Sequence, residues 1–349
     1  MKPRILCFLC FLLLFYQPSY ALKVSGLYQA TISVSDESAS KRRIALKQAL
    51  SKVLIKVTGD RNINKGMGVS SLLERSEQFV QQYRYQQNNN EWGQNKLMLE
   101  LWVQFDEKAI DEALKNQGIS IWDKERPSVL VWLVSQKDNN RSFVNIEENT
   151  EYLNILEDRA SARGINLLFP LLDLQDDSKI SVTDVWGEFS EPILEASKRY
   201  QTNVVLTGKF TQILPSLWES EWQVYFEEQV ADWVSQSEIA DIVLEEGIDE
   251  LVDRLVSHYS DIGTSGQDAQ VIELLVKDIK NIDEYAQIYS YLTSLQSVNQ
   301  VNVKEVTVKH VVFELTSDRS VAGVHQAISL GNILESVEGS SKLEYRLLP

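Results

Sequence analysis

Cysteine is nearly absent: the 349-residue chain has two, Cys7 and Cys10, both inside an N-terminal apolar run. Removal of that run leaves no thiol, which excludes disulfides, thiol nucleophiles and cysteine–metal sites. Histidine is as sparse, with His258, His310 and His325 at spacings that match no metal-ligand pattern. Phosphate-cradling glycine motifs and a GxSxG nucleophile elbow are missing as well. The expectation is therefore no cofactor, no metal and no catalytic residue. Basic residues are lacking from Thr211 to Asp253, a stretch with 12 Asp and Glu, and the whole chain has a net charge of −16. Such a chain repels nucleic acid and anionic lipid surfaces, so neither is an expected partner.

Long apolar runs are lacking beyond the N-terminus, so a stable membrane span is not expected once that end is processed. The N-terminal run itself has the order of a secretory signal. Lys2 and Arg4 precede 12 apolar residues, Ile5 to Tyr16; Gln17 and Pro18 break the run, and Ser19-Tyr20-Ala21 offers small residues to a peptidase. Twelve residues fall short of the ~20 that span a bilayer. Cleavage between Ala21 and Leu22 would release a periplasmic protein; the alternative is an inner-membrane anchor retained as an uncleaved signal. The chain without residues 1–21 keeps 32 basic and 50 acidic residues, a charge of −18.

Hydrophobic periods divide the remainder into three units: an N-terminal α/β domain over 22–126, a middle α/β domain over 127–262 and a C-terminal domain over 268–349. In the first, Leu27 to Val34 reads as a strand and Ser35-Asp36 as a helix N-cap. Leu46, Ala49, Leu50, Val53, Leu54 and Val57 form one helical face that Gly59 ends. A second helix is expected from Ser71 to Tyr83, and a polar loop from Gln86 to Asn95. Leu97 to Phe105 alternates as a strand should. Asp106 caps a helix that Gly118 stops, and Asp123 to Pro127 has the composition of a linker.

In the middle unit, Val129 to Val134 predicts a strand buried on both faces. A helix follows over Thr150 to Arg163, ended by Gly164. Strands are expected at Ile165 to Leu172, Val204 to Phe210 and Glu221 to Phe226, with a helix at Glu191 to Tyr200. A final acidic helix carries Ile248, Leu251, Val252, Leu255, Val256 and Tyr259 on one side. Gly263 to Gln267 is the most linker-like stretch. The last unit reads βαββαβ, the order of a ferredoxin-like split fold.

The segments Leu27-Tyr28-Gln29-Ala30 and Val57-Thr58-Gly59-Asp60-Arg61 resemble an exported proteobacterial family, the domain of unknown function 2066. So do Gly164 to Leu172, Asp184-Val185-Trp186-Gly187 and Ala196 to Tyr200. The resemblance implies export and an envelope location, and it supplies no catalytic residues.

Asp173, Asp176 and Asp177 follow a strand, where α/β sheets host ligands. They are the acidic site on which an alternative reading, a carboxylate-based ligand-binding or hydrolytic enzyme, would rest. Gly59-Asp60-Arg61 is either a contact loop or a helix cap followed by solvated charges. All eight tryptophans lie between Trp92 and Trp233. Trp218, Trp222 and Trp233 fall in the acidic stretch, as a candidate surface for a basic envelope protein or as sheet packing. The expectation is a non-enzymatic envelope protein acting through protein–protein contacts.

Overall fold

The computed structural model describes residues 26–348 except 67, 90–96, 139, 228, 264–268, 318, 332 and 338–342. The N-terminal segment with Ala21 and Leu22, and all but the first residue of the 263–267 linker, lie outside the described residues. The chain is mixed α/β, with an N-terminal, a middle and a C-terminal sheet.

β1 (Gln29–Val34) leads into α1 (Ala39–Thr58), which buries its six expected apolar positions with Ala45 and Thr58. Its N-cap is Ser38 rather than Ser35 or Asp36; Asp36 instead accepts from the Ser38 N–H at 2.9 Å and closes the turn before the helix. Gly59 ends the helix with φ 72° and donates to the Ile55 carbonyl at 2.8 Å. The helix expected at 71–83 is only α2 (Val69–Glu74) and a 3₁₀ turn, Ser76–Phe79, before the chain extends as β2 (Val80–Asn89). β2 pairs with β3 (Leu97–Phe105) from Val80↔Phe105 to Asn89↔Leu97, so Gln86 to Asn89 of the expected polar loop are strand, and its remainder lies outside the described residues. The ladder is made by backbone groups, and a polar edge strand satisfies it as well as an apolar one. The sheet order is β1-β3-β2. α3 (Glu107–Asn116) begins at Asp106, whose side chain accepts from the Ala109 N–H at 3.0 Å.

The expected linker at 123–127 is a packed junction: Glu125 and Arg126 are buried, as is Trp122 before them. β4 (Ser128–Lys137) then enters the middle sheet. Val129, Val131 and Leu133 face one core, Leu130, Trp132 and Val134 another. β5 (Asn140–Phe143), α4 (Thr150–Arg163) and β6 (Asn166–Leu168) follow. β6 is shorter than expected because Pro170 offers no N–H to a ladder. α5 (Leu174–Asp177), α6 (Val182–Trp186) and α7 (Ser190–Ser197) precede a 3₁₀ turn at Lys198–Tyr200. β7 (Val204–Leu214), β8 (Leu217–Phe226) and β9 (Gln229–Ser237) form a meander, closed by α8 (Ala240–Gly263). The order is β5-β4-β7-β8-β9, with β6 beside β4. α4 and α8 cover one face of this sheet. α6 and α7 pack on the other over β5, β4, β7 and the Tyr225 end of β8, and leave β9 uncovered there.

The C-terminal unit comprises β10 (Gln270–Lys277), α9 (Ile282–Ser294), β11 (Gln300–Val306), β12 (His310–Ser317), α10 (Val321–Leu330), β13 (Leu334–Ser336) and β14 (Leu343–Leu347). Its sheet runs β11-β12-β10-β14-β13. The split order has one addition to the expected βαββαβ. The chain leaves α10 for the sheet edge as β13, and β14 turns back into the slot beside β10, parallel to it. Three residues of β13 are too few to show a period. Among the described residues no helix is long and apolar enough to cross a membrane.

Candidate functional site

The acidic residues past β6 do not form an open site. Asp173 caps α5, accepting from the Gln175 and Asp176 N–H groups, and takes a two-pronged contact from Arg199 at 2.7 and 3.1 Å. Those hydrogen bonds from Arg199 hold the Asp173 carboxyl at about 2, below the ordinary carboxylate range. Asp176 is buried and accepts from Arg199 at 2.9 Å, from the Tyr200 hydroxyl at 2.6 Å and from the Leu172 N–H at 2.9 Å. Burial and then the bond to Asp176 push the Tyr200 phenol up to about 12. These groups pin the 171–177 turn to the end of α7, and Asp177 points to solvent. A catalytic carboxylate needs a free face toward substrate. Asp176 has its acceptor capacity committed to the protein.

The acidic helix α8 finds its counter-charges inside the chain. Glu245, Asp249 and Asp253 recur every fourth residue, and α4 presents Arg159 and Arg163 at the same spacing. Arg159 contacts Asp249 and Glu245; the buried Arg163 donates to Asp249 and Asp253, each at 2.5 Å. Arg61, just past α1, reaches Asp253 at 2.8 Å and Asp249 at 3.6 Å. Gly59-Asp60-Arg61 is thus a helix cap and a contact loop together, its contact being with the middle unit. A basic partner was expected on this stretch, and for α8 that partner is the chain's own arginines.

The tryptophans divide. Trp222 is 2% exposed, wedged between Gly208 of β7 and Gly247 of α8, and its indole N–H donates to Ser220 at 2.7 Å. A Cβ at Gly247 would stand 2.3 Å from that nitrogen. Trp233 is buried beneath α8 with Arg254 over its ring, and Trp218 stacks on Phe210 at 4.9 Å. Trp222 and Trp233 are core packing and not an exposed partner surface; Trp218 lies partly buried against the same core. The histidines lie apart, His258 beside Glu227 at 3.2 Å and His325 against Tyr345. Among the described residues no three His, Cys, Asp or Glu side chains gather as metal ligands would.

The open half of the middle sheet is what sequence reading missed. Register aligns side chains across β7, β8 and β9 in rows: Val205–Tyr225–Val230, Thr207–Gln223–Asp232, Lys209–Glu221–Val234 and Thr211–Glu219–Gln236. The first row floors a groove of about 800 Å³ whose opposite wall is α7 and the turn after it, with Ser190, Leu194 and Lys198. Leu348, from the C-terminal end, lines it as well. Leu194 and Val230 are 41% and 57% exposed, so apolar surface faces solvent on both sides. Lys198, Gln201, Asn203 and Glu227 give the rim its polar groups. β9 carries no clean two-residue alternation, because Val230, Asp232, Val234 and Gln236 share one face and mix apolar with polar; nor does any local pattern reveal that a helix layer stops short.

Residues 21–123 match the family model of a domain of unknown function, DUF8605. That finding overturns the resemblance to the domain of unknown function 2066. The motifs behind it are a strand, an amphipathic helix and a glycine cap, which any strand–helix unit can share. No curated protein matches the chain. Among solved structures, the lipoprotein GNA1162 from Neisseria meningitidis aligns over 39% of this chain and 99% of its own at 10% identity, with a TM-score of 0.24. So loose a superposition carries no argument about fold or function.

Proposed function

We propose that the chain is an exported binding protein of the cell envelope that engages a protein partner at the groove of its middle sheet and performs no reaction of its own. The observation that carries this reading is the groove in which the exposed Val230, next to the buried Val205 and Tyr225 of its row, faces the exposed Leu194. Concave, half-apolar surface with a polar rim is the common form of a recognition site. Export rests on the charged, apolar and small-residue order of residues 2–21. The competing enzymatic reading needs available carboxylates, and Asp173 and Asp176 are held by Arg199 and Tyr200.

Two experiments test the proposal. Intact mass of protein from its native host should correspond to a chain beginning at Leu22; a full-length chain that needs detergent would replace the exported reading with an anchored one. Crosslinking capture from an envelope fraction should lose a specific protein when Leu194→Arg blocks the groove. Capture unchanged by that variant would refute the groove, and turnover in a hydrolase screen that Asp176→Asn abolishes would favour the enzyme.

A further inference from the structure

β9 ends the middle sheet, and among the described residues nothing pairs with its outer edge. The β8–β9 hairpin closes with Phe226↔Gln229 across two residues. A two-residue turn makes that closing pair hydrogen-bonded, and bonded pairs then alternate. Residues 229, 231, 233, 235 and 237 therefore bond to β8. The backbone N–H and C=O groups of Val230, Asp232, Val234 and Gln236 are left directed at the open edge.

An open edge is a template for another strand, and proteins usually blunt it with lysine, proline, a bulge or a covering element. β9 has none of these: it contains no Lys or Pro and its register with β8 is unbroken over nine residues. Val230 and Val234 are 57% and 58% exposed on the face that α6 and α7 leave uncovered. Asp232 lies between them, exposed.

We propose that β9 receives an antiparallel strand from a partner protein, with apolar and basic side chains alternating along the face it shares with Val230, Asp232, Val234 and Gln236. The inference rests on reading this region as a binding surface, and it adds the chemistry of the occupant. Apolar residues would extend the row Val205–Tyr225–Val230 and meet Val234, while a cation would meet Asp232. Charge selects the occupant. Residues 127–263 hold 26 Asp and Glu against 9 Lys and Arg. A second copy would bring two such acidic units edge to edge, whereas a basic strand is drawn to one.

The probe is a capped, fluorescent nine-residue peptide, Thr-Val-Thr-Lys-Thr-Val-Thr-Lys-Thr, titrated into the full chain by anisotropy. Wild type should bind it, and binding should weaken with salt. Val234→Pro removes an outward N–H that β8 does not use, so the fold is retained while the edge is blocked. It should weaken binding about tenfold or more, a change equivalent to ~1.4 kcal/mol. A peptide N-methylated at its valines and lysines keeps its charge, loses its ladder donors and should fail similarly. Asp232→Lys, an exposed change, repeats the test without touching the backbone. No binding by wild type would overturn the proposal, as would equal binding by Val234→Pro or by the N-methylated peptide, which reports charge attraction alone. A wild-type dimer that Val234→Pro dissociates would assign the edge to a second copy instead. Leu194→Arg leaves the edge intact and should not change peptide binding. Loss of partner capture in Leu194→Arg therefore reads out the groove, and Val234→Pro reads out the strand.

Discussion

The guanidinium of Arg163 donates to the carbonyl oxygen of Gly59 at 2.7 Å, joining the ends of two helices 104 residues apart. Both helices stop at a left-handed glycine, Gly59 after α1 and Gly164 after α4. Helix C-termini carry unsatisfied carbonyls and a partial negative charge, so two of them abutting need cations. Arg163 supplies one. Arg126 supplies the other, donating to the carbonyls of Lys56 and Gly164 at 2.8 Å each and to that of Trp122 at 3.1 Å. Burial pushes the Arg126 guanidinium down to about 9, which leaves it charged at neutral pH. Buried arginines thus join the N-terminal and middle units.

Removing one partner from such a buried pair leaves the rest uncompensated. Arg163→Ala should destabilise the middle unit by about 3–5 kcal/mol. Arg163→Lys should recover little, because an ammonium cannot span Gly59, Asp249 and Asp253 as the planar fork does. Calorimetric melting of the three proteins gives the comparison; a lysine variant as stable as wild type would mean that charge alone matters here.

The burial of Trp222 separates it from Trp218. Trp222→Ala should cost about 3–5 kcal/mol, as other large-to-small core changes do. Gly247→Ala should also destabilise, since overpacking at about 1–3 kcal/mol exceeds the helix-propensity gain of ~1 kcal/mol. Trp218→Ala removes a partly exposed stack and should lower the melting temperature less than either. A Trp218 variant as unstable as the Trp222 one would reverse this ranking.

Acid should weaken the α4–α8 contact. Burial works to raise the Asp249 pKa, but hydrogen bonds from Arg159 and Arg163 outweigh it and bring it below the ordinary value. A carboxyl lowered in the folded state contributes stability that is present above the unfolded pKa of ~3.9 and is lost as pH falls through the folded one. The melting-temperature gap between wild type and Asp249→Asn should therefore be full at neutral pH and shrink below about pH 4. Asp173, held at about 2 by Arg199, acts in the same direction, with a small share because it is exposed. A gap that stays constant into strong acid would rule out the linkage.

The C-terminal unit has a core of its own, built on Leu274, Ile288, Leu292, Phe313, Leu315 and Tyr345. Its polar ties elsewhere include Arg319 to Asp123 at 2.9 Å and Gln296 to Asp111 at 3.4 Å. A fragment from Asp268 to Pro349 should fold alone and give a dispersed amide spectrum. A soluble fragment with a collapsed spectrum would make this unit dependent on the rest.

Much of this protein is set locally, and the sequence by itself determined those parts. Gly59 and Gly164 end their helices because only a left-handed residue closes them there. α4 spans Thr150 to Arg163 as periodicity predicts, and Asp106 caps α3 with its own carboxylate. Tertiary structure alone decided the partners. The carboxylates of α8 look unneutralised for 43 residues of sequence, yet Arg159 and Arg163 meet them from 90 residues away. Trp222 reads equally as a surface anchor or as sheet packing until Gly208 and Gly247 close on its indole. β2 reads as a helix end followed by a loop until β3 supplies its ladder. Caps and periods act over a few residues, so they are written in order along the chain. Coulomb attraction, packing and strand pairing act through space, and only the folded chain fixes which distant groups they join.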